Sequence, residues 1–329
     1  MSIRTHPIIA WPVGKIKQIW AWTNEILQKP RIRRLLTIFV VVLSFAFMGY
    51  FVFRNWQQLE QYRQHLQAYY PLLFLAFLLY PTGLVPNAVG WHNIMRRLDG
   101  LRSFRLNARI YCYSCLPRRI PGSVWHIAGR AYLNREQGVP HSLTLLGTLL
   151  EWILLVVSGL LVFLLSHLSP QARSMDAQGF RPSVALLLLV PLVVLLLPPV
   201  FNRLLGYLLR KADYEGQIAL SAPDLLVLIT IYVVAWIAGG IVLYTLILAL
   251  YPLSPAQLPA VIGAWAGAGA VGLVAAYLLQ GLGINEVTLA ILLSGMMPLP
   301  IAAVAAILMR ILLTISEVAW PLLWARFLR

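Results

Sequence analysis

An all-α polytopic membrane protein of about seven to nine membrane helices is the fold class this sequence predicts, and three observations carry that prediction. Hydrophobic residues make up 60% of the 329 and charged residues 11%, with a mean hydropathy of +0.77, and several apolar runs reach the about twenty residues that a helix needs to cross hydrocarbon. Those runs are continuous blocks of Leu, Val, Ile and Ala, whereas a membrane barrel would show alternating segments of about ten residues. Third, two helix-breaking stretches with charges beside them, Arg118 to Arg130 and Gln280 to Glu286, lie in regions too apolar for water. Non-helical backbone survives at membrane depth only where it faces protein or a wet cavity. Two re-entrant helical hairpins, over about 103–135 and 258–296, follow from that constraint.

The net charge of +15 does not indicate a nucleic-acid partner, because the basic residues cluster in loops flanking apolar spans. The positive-inside rule and attraction to anionic lipid account for them. Cys112 and Cys115 have C-x-x-C spacing, but no second pair or nearby His completes a zinc site, so both read as structural. No metal, cofactor or catalytic group is expected. Nucleotide-binding loop, metal-ligand cluster and nucleophile elbow are all missing from the sequence, which argues against ATP hydrolysis and enzyme activity.

Residues 1–34 form a basic cytoplasmic segment, with seven Lys or Arg against the single acid Glu25. Ile16, Ile19, Trp20, Ile26 and Leu27 fall on one helical face, predicting an amphipathic helix on the inner leaflet. A single transmembrane domain occupies 35–325. Leu35 to Phe53 is the first span, a signal anchor without a cleavage site. Tyr70 to Trp91 returns inward, interrupted by Pro81, Gly83 and Pro86. From Arg96 to Glu136 nine arginines hold both ends in the cytoplasm, while Ile110 to Leu116 and Val124-Trp125 are too apolar for a loop; the chain dips in, turns at Pro121-Gly122 and comes back. Ser142 to His167 crosses outward and Ser183 to Phe201 inward. Asn202 to Pro223, with Arg203, Arg210 and Lys211, reads as cytoplasmic, and Asp224 as the N-cap of a span running out to Leu250.

Leu258 to Gln280 is rich in Gly and Ala, which let helices approach closely, so this helix belongs at the centre of the bundle. Glu286 to Gly295 is too short to cross alone, so 258–296 reads as a second dip, entered from outside; the alternative, in which the Leu258 helix and the short helix both cross, leaves the C-terminal side unchanged. Pro300 to Leu323 crosses back, leaving both termini in the cytoplasm. Dips of opposite entry constitute an inverted repeat, an arrangement that places a transporter's site between half-helices.

Helix N-termini carry free N–H groups and partial positive charge, which suit phosphate or carboxylate. Ser123 caps the helix after Pro121-Gly122, Ser123, His126 and Arg130 share one face, and Arg119 and Trp125 flank them. In the second dip Gly281 and Gly283 make the break, Asn285 caps the helix and Glu286 lies in its first turn. Glu151, Arg310 and Glu317 are further charges in apolar sequence, and such charges are costly enough to be functional or paired by default. These fourteen residues are the candidate substrate-binding set.

At these residues the chain resembles the transmembrane domain of lysylphosphatidylglycerol synthases, the multiple peptide resistance factor family, and its standalone relatives. The resemblance rests on Arg118-Arg119-Ile120-Pro121-Gly122-Ser123-Val124-Trp125, then Arg130, Glu151, and Gly281-Leu282-Gly283-Ile284-Asn285-Glu286, and runs from about Leu35 to Leu323. An aromatic residue is usual where Arg119 stands, and Pro-Gly-Gly where this chain has Leu279-Gln280-Gly281. The resemblance implies a flippase-type domain with two re-entrant helix pairs that moves a lipid headgroup between leaflets. The soluble synthase domain of the full-length proteins is absent from the sequence, so synthesis of the aminoacylated lipid is not expected.

The expected function is therefore an inner-membrane flippase for an anionic or phosphate-bearing lipid of phospholipid or polyprenyl-phosphate type. The alternatives are an accessory subunit that binds a lipid, a glycosyltransferase or another lipid-modifying enzyme without transporting, and, more remotely, a polyprenyl-phosphate-dependent glycosyltransferase.

Overall fold

A computed structural model describes residues 69–98, 100–116, 125–168, 196–211, 219–279 and 283–327, together with Phe53 and parts of 186–194. The interfacial helix of 1–34, the span Leu35 to Phe53 apart from that one residue, and the first break with Arg119, Pro121, Gly122 and Ser123 lie outside the described residues, as does Gly281. Every regular element among the described residues is helical. They are α1 (Tyr70–Leu79), α2 (Pro81–Arg97), α3 (Phe104–Cys115), α4 (Trp125–Arg135), α5 (His141–Ser166), α6 (Pro198–Lys211), α7 (Ala222–Leu248), α8 (Leu258–Leu279), α9 (Ile284–Leu293) and α10 (Leu299–Phe327), with a 3-10 turn at Pro255–Gln257 before α8. Five stretches are long and apolar enough to cross a membrane: Tyr70–Arg97, His141–Ser166, Ala222–Leu248, Pro255–Ala275 and Leu299–Trp324.

Proline sets the join between α1 and α2. Pro81 has no N–H to give the carbonyl four residues back, and that carbonyl, of Phe77, accepts from the Tyr80 N–H at 3.3 Å and from Trp320 Nε1 of α10 at 3.0 Å. A partly buried backbone acceptor thereby gains a donor from a distant helix. At the other end of α2, Arg97 donates to Asp224 at 2.7 Å. Asp224 is not the N-cap expected from sequence. Ser221 holds that position and Asp224 completes a capping box from the third helical residue, because a carboxylate there reaches back to the cap N–H.

The segment from Asn202, placed by sequence on the cytoplasmic side without an assigned conformation, begins as helix, since α6 runs on to Lys211. Phe201 and Leu205 are buried while Arg203 and Tyr207 are exposed, which makes α6 an amphipathic surface helix. Asn202 then ties α6 to the start of α7 by a double hydrogen bond with the backbone of Leu220, at 2.9 and 2.8 Å.

The Gly- and Ala-rich helix lies at the centre, as expected: α8 packs against α5, α7 and α9. Ala260, Ala264, Ala266 and Ala268 are fully buried on it. At the α7 crossing, a Cβ on Gly240 would lie 2.7 Å from the Ile262 Cα atom, so backbone approach there requires glycine.

Two sets of four helices share one pattern of internal packing. In the first, α2 packs on α3, α3 on α4, α4 on α5, and α5 back on α2; in the second, α7 packs on α8, α8 on α9, α9 on α10, and α10 back on α7. Between the sets, α2 meets α7, and the matched contacts of α5 with α8 and of α10 with α3 are both present. In each set a short helix, α4 or α9, thus precedes a long one, α5 or α10.

Candidate functional site

The short helix of each set carries a charge that meets an opposite charge on the long helix after it. In the first set Arg130 of α4 pairs with Glu151 of α5 at 2.5 Å. In the second Glu286 of α9 pairs with Arg310 of α10. Glu151 and Arg310 both lie a little before the midpoint of their helices. Position is matched and sign is inverted, with the cation on the short helix in one set and on the long helix in the other.

Their surroundings differ. Arg130 has a side chain 1% exposed. Its Nε donates to Ser114 Oγ at 3.2 Å, and its guanidinium carbon lies 4.1 Å from the ring centre of Trp91 and 4.7 Å from that of Tyr111. Charge, hydrogen bonds and desolvated aromatic faces all favour the cation here. His126, one turn earlier on α4, is buried with its ring beside Trp152, 6.2 Å between centroids. Thr144, Thr148 and Asn134 extend this polar layer, and Asn134 donates to Thr144 Oγ1 at 3.1 Å.

Arg310 is more open, with 18% of its side chain exposed, while its partner Glu286 is buried. Thr314 Oγ1 donates to the Arg310 carbonyl at 2.8 Å, and Glu317, two turns beyond Arg310, is also buried. The N-cap of α9 is Gly283, with φ of 85°, and not Asn285 as expected. A left-handed residue at the break suits glycine, and Gly283 offers no side chain to the free N–H groups. Asn285 sits in the first turn against Gly272 of α8. Asn285 Oδ1 and Glu286 Oε2 are buried acceptors without a hydrogen-bond partner, and Glu151 Oε1 is a third.

Of the fourteen residues singled out from sequence, Arg130, Glu151 and His126 come together in the first set, and Gly283, Asn285, Glu286, Arg310 and Glu317 in the second. Trp125 begins α4, and only its backbone is described. Sequence reading missed Trp91, Tyr111 and Ser114 around Arg130. Their signal is weak: one aromatic from each of two helices preceding the break has no spacing relation to Arg130. Among the described residues no group of three His, Cys, Asp or Glu side chains can hold a metal ion.

Comparison with protein-family models and with curated proteins finds no match to this chain.

Proposed function

We propose that this chain is a lipid translocator of the bacterial-type cytoplasmic membrane, a standalone flippase-type domain like that of the lysylphosphatidylglycerol synthases, moving an anionic or phosphate-bearing headgroup between leaflets. The observation that carries the reading is the matched placement of two buried, sign-inverted ion pairs in two similarly packed helix sets, each next to a helix break. A purely structural role would need neither the breaks nor their repetition. Buried ion pairs add little net stability compared with apolar side chains of the same volume, so their presence in both sets calls for a role beyond stability.

In this reading α3–α4 and α8–α9 are re-entrant hairpins that enter from opposite faces, with both termini cytoplasmic. The headgroup phosphate meets the Arg310 guanidinium, which matches two phosphate oxygens as a planar fork. Acyl or prenyl tails remain in the bilayer throughout. Arg130 and Glu151, enclosed by Trp91, Tyr111 and Ser114, hold the first hairpin against α5.

Leaflet exchange of fluorescent phospholipid and polyprenyl-phosphate analogues in proteoliposomes tests the proposal. Wild type is expected to exchange one of these classes, and the double variant Arg310→Gln with Glu286→Gln to lose that exchange while remaining folded. Absence of exchange by folded wild-type protein that still binds lipid would replace this reading with the accessory-subunit one.

A further inference from the structure

Arg310 already holds an anion. We propose that Glu286 is a resident competitor for the lipid phosphate: its carboxylate occupies the guanidinium in the empty state, and the arriving phosphate displaces it. This inference rests on the translocator reading and deepens it.

Three observations support the exchange. First, the Arg310–Glu286 pair is the accessible one, with 18% of the arginine side chain exposed against 1% for Arg130. A ligand reaches Arg310 without dismantling an aromatic cage. Second, a carboxylate and a phosphate present the same two-oxygen edge to a guanidinium. Both anions close to one cation in a medium of low dielectric repel each other strongly, so one must leave. Third, Glu286 has somewhere to go. It is the third residue of α9, its second oxygen Oε2 is buried without a hydrogen-bond partner, and the Gly283 cap leaves the helix-start N–H groups without a side chain. A carboxylate at that position is favoured by the helix dipole and can reach back to the cap N–H.

The consequence concerns release as much as capture. When the phosphate departs, Glu286 returns to Arg310, so the site exchanges one anion for another and the guanidinium is never stranded. An uncharged residue at 286 removes the competitor and leaves the phosphate held too well.

The test is equilibrium binding of phosphatidylglycerol to purified full-length protein, by native mass spectrometry, beside exchange in proteoliposomes. Glu286→Gln is expected to bind phosphatidylglycerol about tenfold more tightly, the order of one charged hydrogen bond, and to exchange it more slowly. The double variant Arg310→Gln with Glu286→Gln, which avoids leaving a buried carboxylate unpaired, is expected to lose the added affinity. Glu286→Gln binding equal to or weaker than wild type would overturn the competitor role. Wild type that binds phosphatidylglycerol but exchanges neither it nor the polyprenyl-phosphate analogue would sink the translocator reading, with the binding comparison still deciding the competitor; no binding of phosphatidylglycerol by any form overturns the competitor role.

Discussion

Arg130 and Arg310 make the same bond in unlike settings, and removal of one partner should separate them. Glu151→Ala leaves a guanidinium buried against Trp91 and Tyr111 with its counter-charge gone, which costs about 3–5 kcal/mol. Arg130→Met combined with Glu151→Leu removes both charges at similar volume and is expected to restore melting in detergent to near the wild-type temperature. Glu286→Ala should lower melting less than Glu151→Ala, because the Arg310 side chain it abandons is partly exposed. Cys112 and Cys115 are both buried and not joined in a disulfide, so alkylation of either by a soluble maleimide should follow the unfolding rate. The sequence singled out the charges because they stand in apolar stretches. It did not say which would pair, because Arg130 finds Glu151 across one helix boundary and Glu286 finds Arg310 across another, distances over which spacing rules do not operate.

Helix ends and crossings were legible to different degrees. Gly- and Ala-richness placed α8 at the centre, because closeness of approach depends on the side chains of that helix itself. Gly240→Leu in α7 should force α7 away from α8 at Ile262 and destabilise by about 1–3 kcal/mol, read as a lower melting temperature in detergent. Caps were less legible. Asp224 and Asn285 are both good capping types, but each stands inside its first turn, behind Ser221 and Gly283. A polar residue near a start identifies the start only to within a turn. Ser221→Ala should cost about 1 kcal/mol through the lost cap, measured by denaturation. The helical run of α6 to Lys211 went unassigned because its charges mark a side of the membrane and not a conformation, and the face that holds Phe201 and Leu205 shows only once both are buried.

Across the whole molecule, the duplicated packing pattern had only a faint trace in the sequence, in two breaks with charges beside them. Packing order is conserved by contacts between helices, and those leave no residue-by-residue likeness. The proposed inverted arrangement makes a topological prediction. In a background with Cys112→Ala and Cys115→Ala, single cysteines replacing Arg102 and Gln137 should label with an impermeant reagent from one side of the membrane. Cysteines replacing Ser254 and Leu299 should label from the other side; labelling of all four from one side would exclude hairpins of opposite entry. One contact ties α10 to the join between α1 and α2. Trp320 donates to the Phe77 carbonyl that Pro81 cannot reach, and Trp320 stands on the same helix as Arg310. In the proposed transport cycle, a rotation of α10 that carried Arg310 away from Glu286 would therefore tug at that join. That indole would then act as a catch between two levers: a single bond of about 1 kcal/mol, strong enough to register the empty state and weak enough to let go with each lipid.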